Sequence, residues 1–255
     1  MNGSVAQLTL NRPDAGNAIT LEMARALVRA AIRCDFDVNI RCVVLAGAGR
    51  MFCAGGDISV FGSEAQRAPA FLSELAGTLH MALSRLARMA KPLLVLVNGP
   101  AAGAGLSLAL MGDVVLASHS SHFTAAYGSV GLTPDGGLSW WLPRIIGLRK
   151  AQEMIMTNRR VVASEAERIG LITRMVDDSS LAEEGAAISA QLDSSATAAL
   201  GASRALLLDS FSSGLEVQLE RESRAISSAG AGSEFREGMG AFLEKRKANF
   251  RGENL

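Results

Sequence analysis

Residues 93–113 read LLVLVNGPAAGAGLSLALMGD, and the fold follows from how this stretch is parsed. Leu93–Val97 is leucine and valine throughout, bounded by Pro92 and Gly99, as expected of a short strand buried on both faces. A Gly/Ala loop follows, and then a small-residue helix that Gly112 is expected to close. Gly103-Ala104-Gly105 puts almost side-chain-free backbone at the start of that helix. The first N–H groups of a helix lack intrahelical acceptors, and its dipole favours negative charge there. Such a turn can hold an anion, or an oxygen that becomes anionic during a reaction. It equally lets a helix pack tightly on its strand, and the stretch alone leaves both readings open.

The same strand–turn–helix unit recurs on either side. VAQLTL at 5–10 alternates at period two, and CVVLA at 42–46 is a buried strand. Thr20 caps an expected helix over 21–32, with Glu22 in its first turn. A second amphipathic helix spans 71–90, with Phe71, Leu75, Leu79, Leu83 and Leu86 at spacings of three or four. Strands follow at 114–117 and 123–126, then a loop over 128–137 and helix from Trp140 to Ile146. Beyond it, helices are expected at 150–157, 164–169, 181–192, 197–211, 214–226 and 235–249, with an extended segment at 171–176. Alternating strands and helices give an α/β core over 1–195, and 196–255 form a helical C-terminal region.

Composition narrows the function classes. The 255 residues are 49% hydrophobic and 20% charged, with formal net charge +0 and no long run of one sign. Nothing there points to nucleic acid or to a membrane surface. Cys34, Cys42 and Cys53 are odd in number and lack metal-ligand spacing, which suits reduced thiols and a cytoplasmic location. No apolar run reaches membrane-spanning length, and no leader is evident.

Several chemistries fail on spacing. Gly103-x-Gly105 opens a dinucleotide fingerprint, but Leu108 stands where the third glycine belongs. Ser107 lies in a partial nucleophile elbow, with His119 and His122 as distant partners, and that motif is incomplete. No metal site is expected. Two bare-backbone turns make better sense together: Gly55-Gly56 before Asp57, and Gly103-Ala104. One N–H from each, converging on one carbonyl oxygen, would form an oxyanion hole. A base must then come from a third segment, and Thr133-Pro134-Asp135-Gly136-Gly137 supplies a carboxylate. Pro-Asp-Gly is also an ordinary turn sequence.

Five ordered motifs decide between these readings. They are Asn11-Arg12-Pro13 with Asn17-Ala18; Phe52-Cys53-Ala54-Gly55-Gly56-Asp57; Asn98-Gly99-Pro100-Ala101-Ala102-Gly103-Ala104-Gly105; Gly131-Leu132-x-Pro134-Asp135-Gly136-Gly137; and Phe235-Arg236-Glu237-Gly238 with Phe242-Leu243-Glu244-Lys245-Arg246. Over nearly its full length the chain resembles the crotonase (enoyl-CoA hydratase/isomerase) superfamily. That resemblance implies a spiral of ββα units, a helical C-terminal region mediating trimer or dimer-of-trimers assembly, and acyl-CoA thioester substrates. It implies no cofactor apart from the coenzyme A carried by the substrate. The two oxyanion-hole N–H groups fall on Gly56 and Ala104, while Ala54, Gly55, Asp57 and Ile58 would line the thioester path. Arg25 and Lys247 are candidate partners for the CoA phosphates, and residues 62–70 with the tail helices would shape the acyl pocket.

The chain departs from the hydratase pattern at its centre. Family hydratases carry two catalytic glutamates, and counting along this chain puts Ser107 and Tyr127 at those places. Neither is a carboxylate, so water addition by a carboxylate pair is not expected. The Pro-Asp-Gly-Gly segment resembles the branch containing the phenylacetate-pathway ring-epoxide isomerase, in which one Asp shuttles protons. The expectation is an acyl-CoA isomerase with Asp135 as base and Tyr127 shaping the pocket or donating a hydrogen bond. A hydratase, or a non-catalytic acyl-CoA-binding paralogue, is the alternative.

Overall fold

Thr20 opens the first helix: its hydroxyl accepts the Met23 N–H at 3.1 Å, in extended geometry that supplies one of the missing acceptors. The computed structural model describes residues 3–61 and 67–251. In chain order the first half comprises β1 (Val5–Leu10), α1 (Leu21–Phe36), β2 (Cys42–Gly47), α2 (Ala68–Arg88), β3 (Leu93–Val97), β4 (Ala101–Ala102), α3 (Ala104–Ala109), β5 (Val114–Ser118) and β6 (His122–Thr124). The second half comprises α4 (Leu138–Ile146), α5 (Leu148–Thr157), β7 (Val161–Val162), α6 (Ala163–Arg168), β8 (Arg174–Val176), α7 (Leu181–Asp193), α8 (Thr197–Ser210), α9 (Leu215–Gly230) and α10 (Ser233–Leu243).

The main sheet has the order β1-β2-β3-β5-β8 and is parallel at every pairing. Its inner strands β2, β3 and β5 read as near-continuous apolar runs because both their faces are covered. Leu93, Val95 and Val97 of β3 enter the larger core, which the buried stripes of α1 (Ala24, Leu27, Ala31, Cys34) and α2 (Leu75, Leu79, Leu83, Leu86) also fill. Leu94 points the other way, into a smaller core with Val44, Leu116 and Leu181 of α7.

A second layer runs alongside. β4 pairs parallel with β6, β6 pairs antiparallel with β7, and two isolated parallel bridges, Ile19 with Gly56 and Cys53 with Ala101, continue it toward the N-terminus. Each turn of the chain therefore passes through a main-sheet strand, a short extended step in this layer, and a helix. β4 and β7 are two residues long, too short to show a period of two, and so escape sequence reading.

Two helices end short of expectation, while α1 and α9 run four residues past it, to Phe36 and Gly230. α3 stops at Ala109 and does not continue to Gly112, because Asp113 must turn back onto β3, donating its N–H to Leu93 O and accepting the Leu93 N–H. α10 stops at Leu243 and does not reach 249. There Lys245 adopts φ +53°, and the Arg246 N–H bonds back to Ala241 O. The tail is tied to the core by Arg204 of α8. Its guanidinium pairs with Asp113 at 2.7 Å and donates to the carbonyls of Leu86, Met89 and Lys91. Glu234 of α10 in turn caps α8, accepting the Ala198 and Ala199 N–H groups. Among the described residues, no helix is long and apolar enough to cross a membrane.

Candidate active site

The second layer brings the two bare turns together. Ile19 N–H donates to Gly55 O at 2.8 Å, and Asp57 N–H donates to Ile19 O at 3.0 Å. In a parallel bridge the residue between those two bonds directs its own N–H to the opposite side. Gly56 is that residue, and among the described residues its N–H has no acceptor. Ala104 begins α3, so its N–H has no intrahelical acceptor either. Glycine is what permits the approach: a Cβ on Gly55 (φ +102°) would lie 3.0 Å from Ala102 O, and one on Gly105 only 2.3 Å from Cys53 O. Gly56 and Ala104 line one cavity of about 560 Å3.

Arg12 and Asn17 explain why the N-terminal motif belongs to this site. The Asn17 amide donates to the carbonyls of Ala48, Met51 and Phe52 and accepts the Arg12 N–H. The Arg12 guanidinium reaches Ala18 O and pairs with Asp57 at 2.9 Å. Together they hold the turn that presents Gly56. Asp57 lines the cavity, but the Ser59 hydroxyl first, and Arg12 after it, hold its carboxyl below the usual carboxylate range. It is a neutralised structural anion.

Asp135 enters the same cavity from the loop before α4. The Tyr127 hydroxyl donates to its Oδ1 at 2.6 Å. Burial, and then the Asp135 charge, push the Tyr127 phenol far above its ordinary range, so it remains a donor. Tyr127 is presented by a turn in which Ala126 has φ +65°. Asn158 secures that turn, accepting the Ala126 N–H at 2.6 Å and donating to the Ser129 hydroxyl. The Asp135 carbonyl accepts from the Ser107 hydroxyl at 3.0 Å and from Leu138 N–H at 3.1 Å. Leu72, Leu75, Ala76 and Leu79 of α2, with Val130 and Leu132, give the cavity an apolar wall.

Ala54, Gly55, Asp57, Ile58 and Tyr127 all line this cavity with Gly56, Ala104 and Asp135. Arg25 and Lys247 do not. Arg25 is ion-paired with Glu74 at 2.8 Å on the exposed side of α1 and α2. Lys247 lies exposed beyond the end of α10. Residues 62–66, within the stretch expected to shape the acyl pocket, lie outside the described residues. Ser107 is fully buried and donates to a backbone carbonyl, so the base a hydrolase would need beside it is missing. Burial pushes the Cys53 thiol up to about 12, which leaves it inert. Sequence reasoning gave no role to Asn158 or to His80, which accepts the Gly136 N–H. Asn158 does carry a signal, since it sits left-handed at the C-cap of α5.

The sequence pattern of the enoyl-CoA hydratase/isomerase family matches residues 1–253. The chain is 36% identical over 250 residues to the 1,2-epoxyphenylacetyl-CoA isomerase of Escherichia coli (strain K12), covering 98% of this chain and 95% of that protein. Among solved structures, it superimposes on an enoyl-CoA hydratase from Polaromonas sp. JS666 with TM-score 0.94 at 33% identity, covering 98% of both chains. An enoyl-CoA hydratase from Bacillus anthracis gives TM-score 0.92 at 27% identity, with coverage of 99% and 97%. The α/β architecture of the previous section is therefore the crotonase fold.

Proposed function

The chain belongs to the enoyl-CoA hydratase/isomerase family, and on that footing we propose that it is an isomerase, moving a double bond or carrying out a related enolate rearrangement on a CoA thioester. One observation carries this reading. Of the two carboxylates lining the cavity among the described residues, Asp57 is neutralised by Arg12, whereas Asp135 meets only the Tyr127 hydroxyl. One base faces a cavity that also holds two free backbone N–H groups.

Asp135 would take a proton from carbon adjacent to, or conjugated with, the thioester carbonyl. The electron pair left behind moves onto the thioester oxygen, which the Gly56 and Ala104 N–H groups stabilise as an enolate. Return of the same proton at the other end of the conjugated system regenerates the carboxylate and shifts the double bond. A single base acting at both positions suits this better than hydration, which needs a positioned water and a proton donor across the bond. The relative named 1,2-epoxyphenylacetyl-CoA isomerase supports isomerisation chemistry. Ser107, where a hydratase would keep a glutamate, holds the Asp135 carbonyl instead.

A second part of the proposal concerns assembly. α9 and α10 leave Ile226, Phe242 and Leu243 at least 72% exposed, which favours a homotrimer or dimer of trimers that covers them.

The deciding experiment incubates the protein with a panel of 2-enoyl- and 3-enoyl-CoAs in deuterated water and analyses products by mass. Isomerisation gives double-bond isomers, separated by chromatography, whose mass changes at most by exchanged deuterium, whereas hydration adds the mass of a whole water. Asp135→Asn should lower kcat by roughly a hundredfold to ten-thousandfold while still binding acyl-CoA. Hydrated products, or an Asp135→Asn variant at near wild-type rate, would overturn the reading.

A further inference from the structure

His80 lies on α2, one residue beyond the cavity-lining Leu79; it is exposed, is not part of that lining, and its side chain meets the Asp135 loop at Gly136. Its Nε2 accepts the Gly136 N–H at 2.9 Å. Nε2 is therefore the acceptor in this contact, a role that the imidazole ring can fill.

The peptide joining Asp135 to Gly136 is thus held at both polar ends. Ser107 of α3 grips its carbonyl at 3.0 Å and His80 of α2 grips its N–H at 2.9 Å. Gly136 sits at φ +60°, where a Cβ would lie 2.8 Å from Ser107 Cβ, so the loop is also pressed against α3. The Asp135 Cβ is built on a backbone whose carbonyl carbon belongs to this clamped peptide. Fixing the peptide plane therefore fixes the direction in which the carboxylate leaves the chain. Gly136 and Gly137 are both left-handed, so without the His80 bond the Gly136 N–H end of this peptide has fewer restraints on its plane.

We infer that His80 is a positioning residue for Asp135, aiming its carboxylate at substrate by holding the Gly136 N–H. The inference rests on the reading of Asp135 as the base. Misplacement of a catalytic group by about 1 Å can lower a rate by as much as about a hundredfold. His80→Leu removes the acceptor and strands the N–H. His80→Gln restores an acceptor oxygen at similar reach.

The test compares kcat and KM of wild type, His80→Leu and His80→Gln with the enoyl-CoA that wild type turns over fastest. Isotope-labelled glycine and histidine report the Gly136 amide and the His80 ring by NMR. The expected result is a kcat lowered roughly tenfold to a hundredfold in His80→Leu, with KM little changed, substantial recovery in His80→Gln, and a Gly136 amide shift that moves only in His80→Leu. A merely structural role would lower the melting temperature of both variants and move kcat and KM together, which would overturn the inference. So would wild-type kcat in His80→Leu. If wild type turns over no acyl-CoA, the isomerase reading fails separately, and a Gly136 amide unmoved in His80→Leu then refutes the tether as well.

Discussion

The Tyr127 hydroxyl donates to Asp135 Oδ1 over 2.6 Å, joining the 3-10 turn after β6 to the loop before α4 across the mouth of one cavity. The pairing, together with burial, fixes the protonation state of the tyrosine. A phenolate beside that carboxylate would place two negative charges in contact within a half-buried site. The phenol therefore keeps its proton and stays the donor in the pair.

Tyr127 is the single tyrosine of the chain, so alkaline phenolate absorbance reports this residue alone. Its folded-state pKa lies above the ordinary value of 10.0. The protonated phenol accordingly contributes stability that is fully present below pH about 10 and is lost as pH rises through the folded-state value. Spectrophotometric titration should show no phenolate near pH 10 while the protein stays folded, and a late, steep rise coincident with loss of near-ultraviolet circular dichroism. A free-tyrosine titration curve in the folded protein would contradict the buried pairing.

Charge also predicts substrate discrimination. The ionisable groups lining the cavity among the described residues are Asp57, Asp135 and Tyr127, and residues 62–66 read GSEAQ, adding no cation. An acyl chain ending in a carboxylate would be buried without a counter-charge, at a penalty of several kcal/mol. Side-by-side turnover of a neutral enoyl-CoA and its ω-carboxylated analogue of equal length should give kcat/KM values differing by at least about a hundredfold. Comparable values would show that a cation reaches the acyl end.

Gly105→Ala tests the joint between the two turns. The added methyl would meet Cys53 O at 2.3 Å and Cys53 Cβ at 2.7 Å, and the first of these is backbone that cannot rotate away. α3 must then lift from the Cys53 segment, displacing the Ala104 N–H from Gly56. Overpacking of this kind costs roughly 1–3 kcal/mol, seen as a lowered melting temperature, and kcat should fall along with it. A variant with wild-type melting and rate would show that the two turns tolerate the methyl and would refute the tight joint.

Assembly is open to a surface test. Phe242 is 77% and Ile226 75% exposed in the single chain, on helices that contribute no residue to the cavity lining. Sedimentation should give a trimer or double trimer for the wild type, and Phe242→Asp should shift it toward monomer by burying an uncompensated charge in the interface. A wild-type monomer would refute the proposed assembly.

The sequence by itself determined the order of the strands and helices apart from β4 and β7, the apolar stripes of α1 and α2 and the two bare turns, and it offered Asp135 as a candidate carboxylate. These are local facts: a helical or strand period, a cap, or a glycine pair is legible wherever neighbouring residues set it. The tertiary structure decided what residues distant in sequence do to one another. It made Arg12 the partner of Asp57 and so removed Asp57 as a base, and it made Ser107 a clamp on the Asp135 carbonyl. It paired Arg25 with Glu74 and ended α10 before Lys247, and neither basic residue lines the cavity. It set Asn158 against the turn that presents Tyr127, through Ala126 and Ser129, and His80 against Gly136, by hydrogen bonds that span at least 29 residues of chain. Such bonds leave no periodic trace, because their donors and acceptors meet only once the parallel sheet has stacked the turns beside one another.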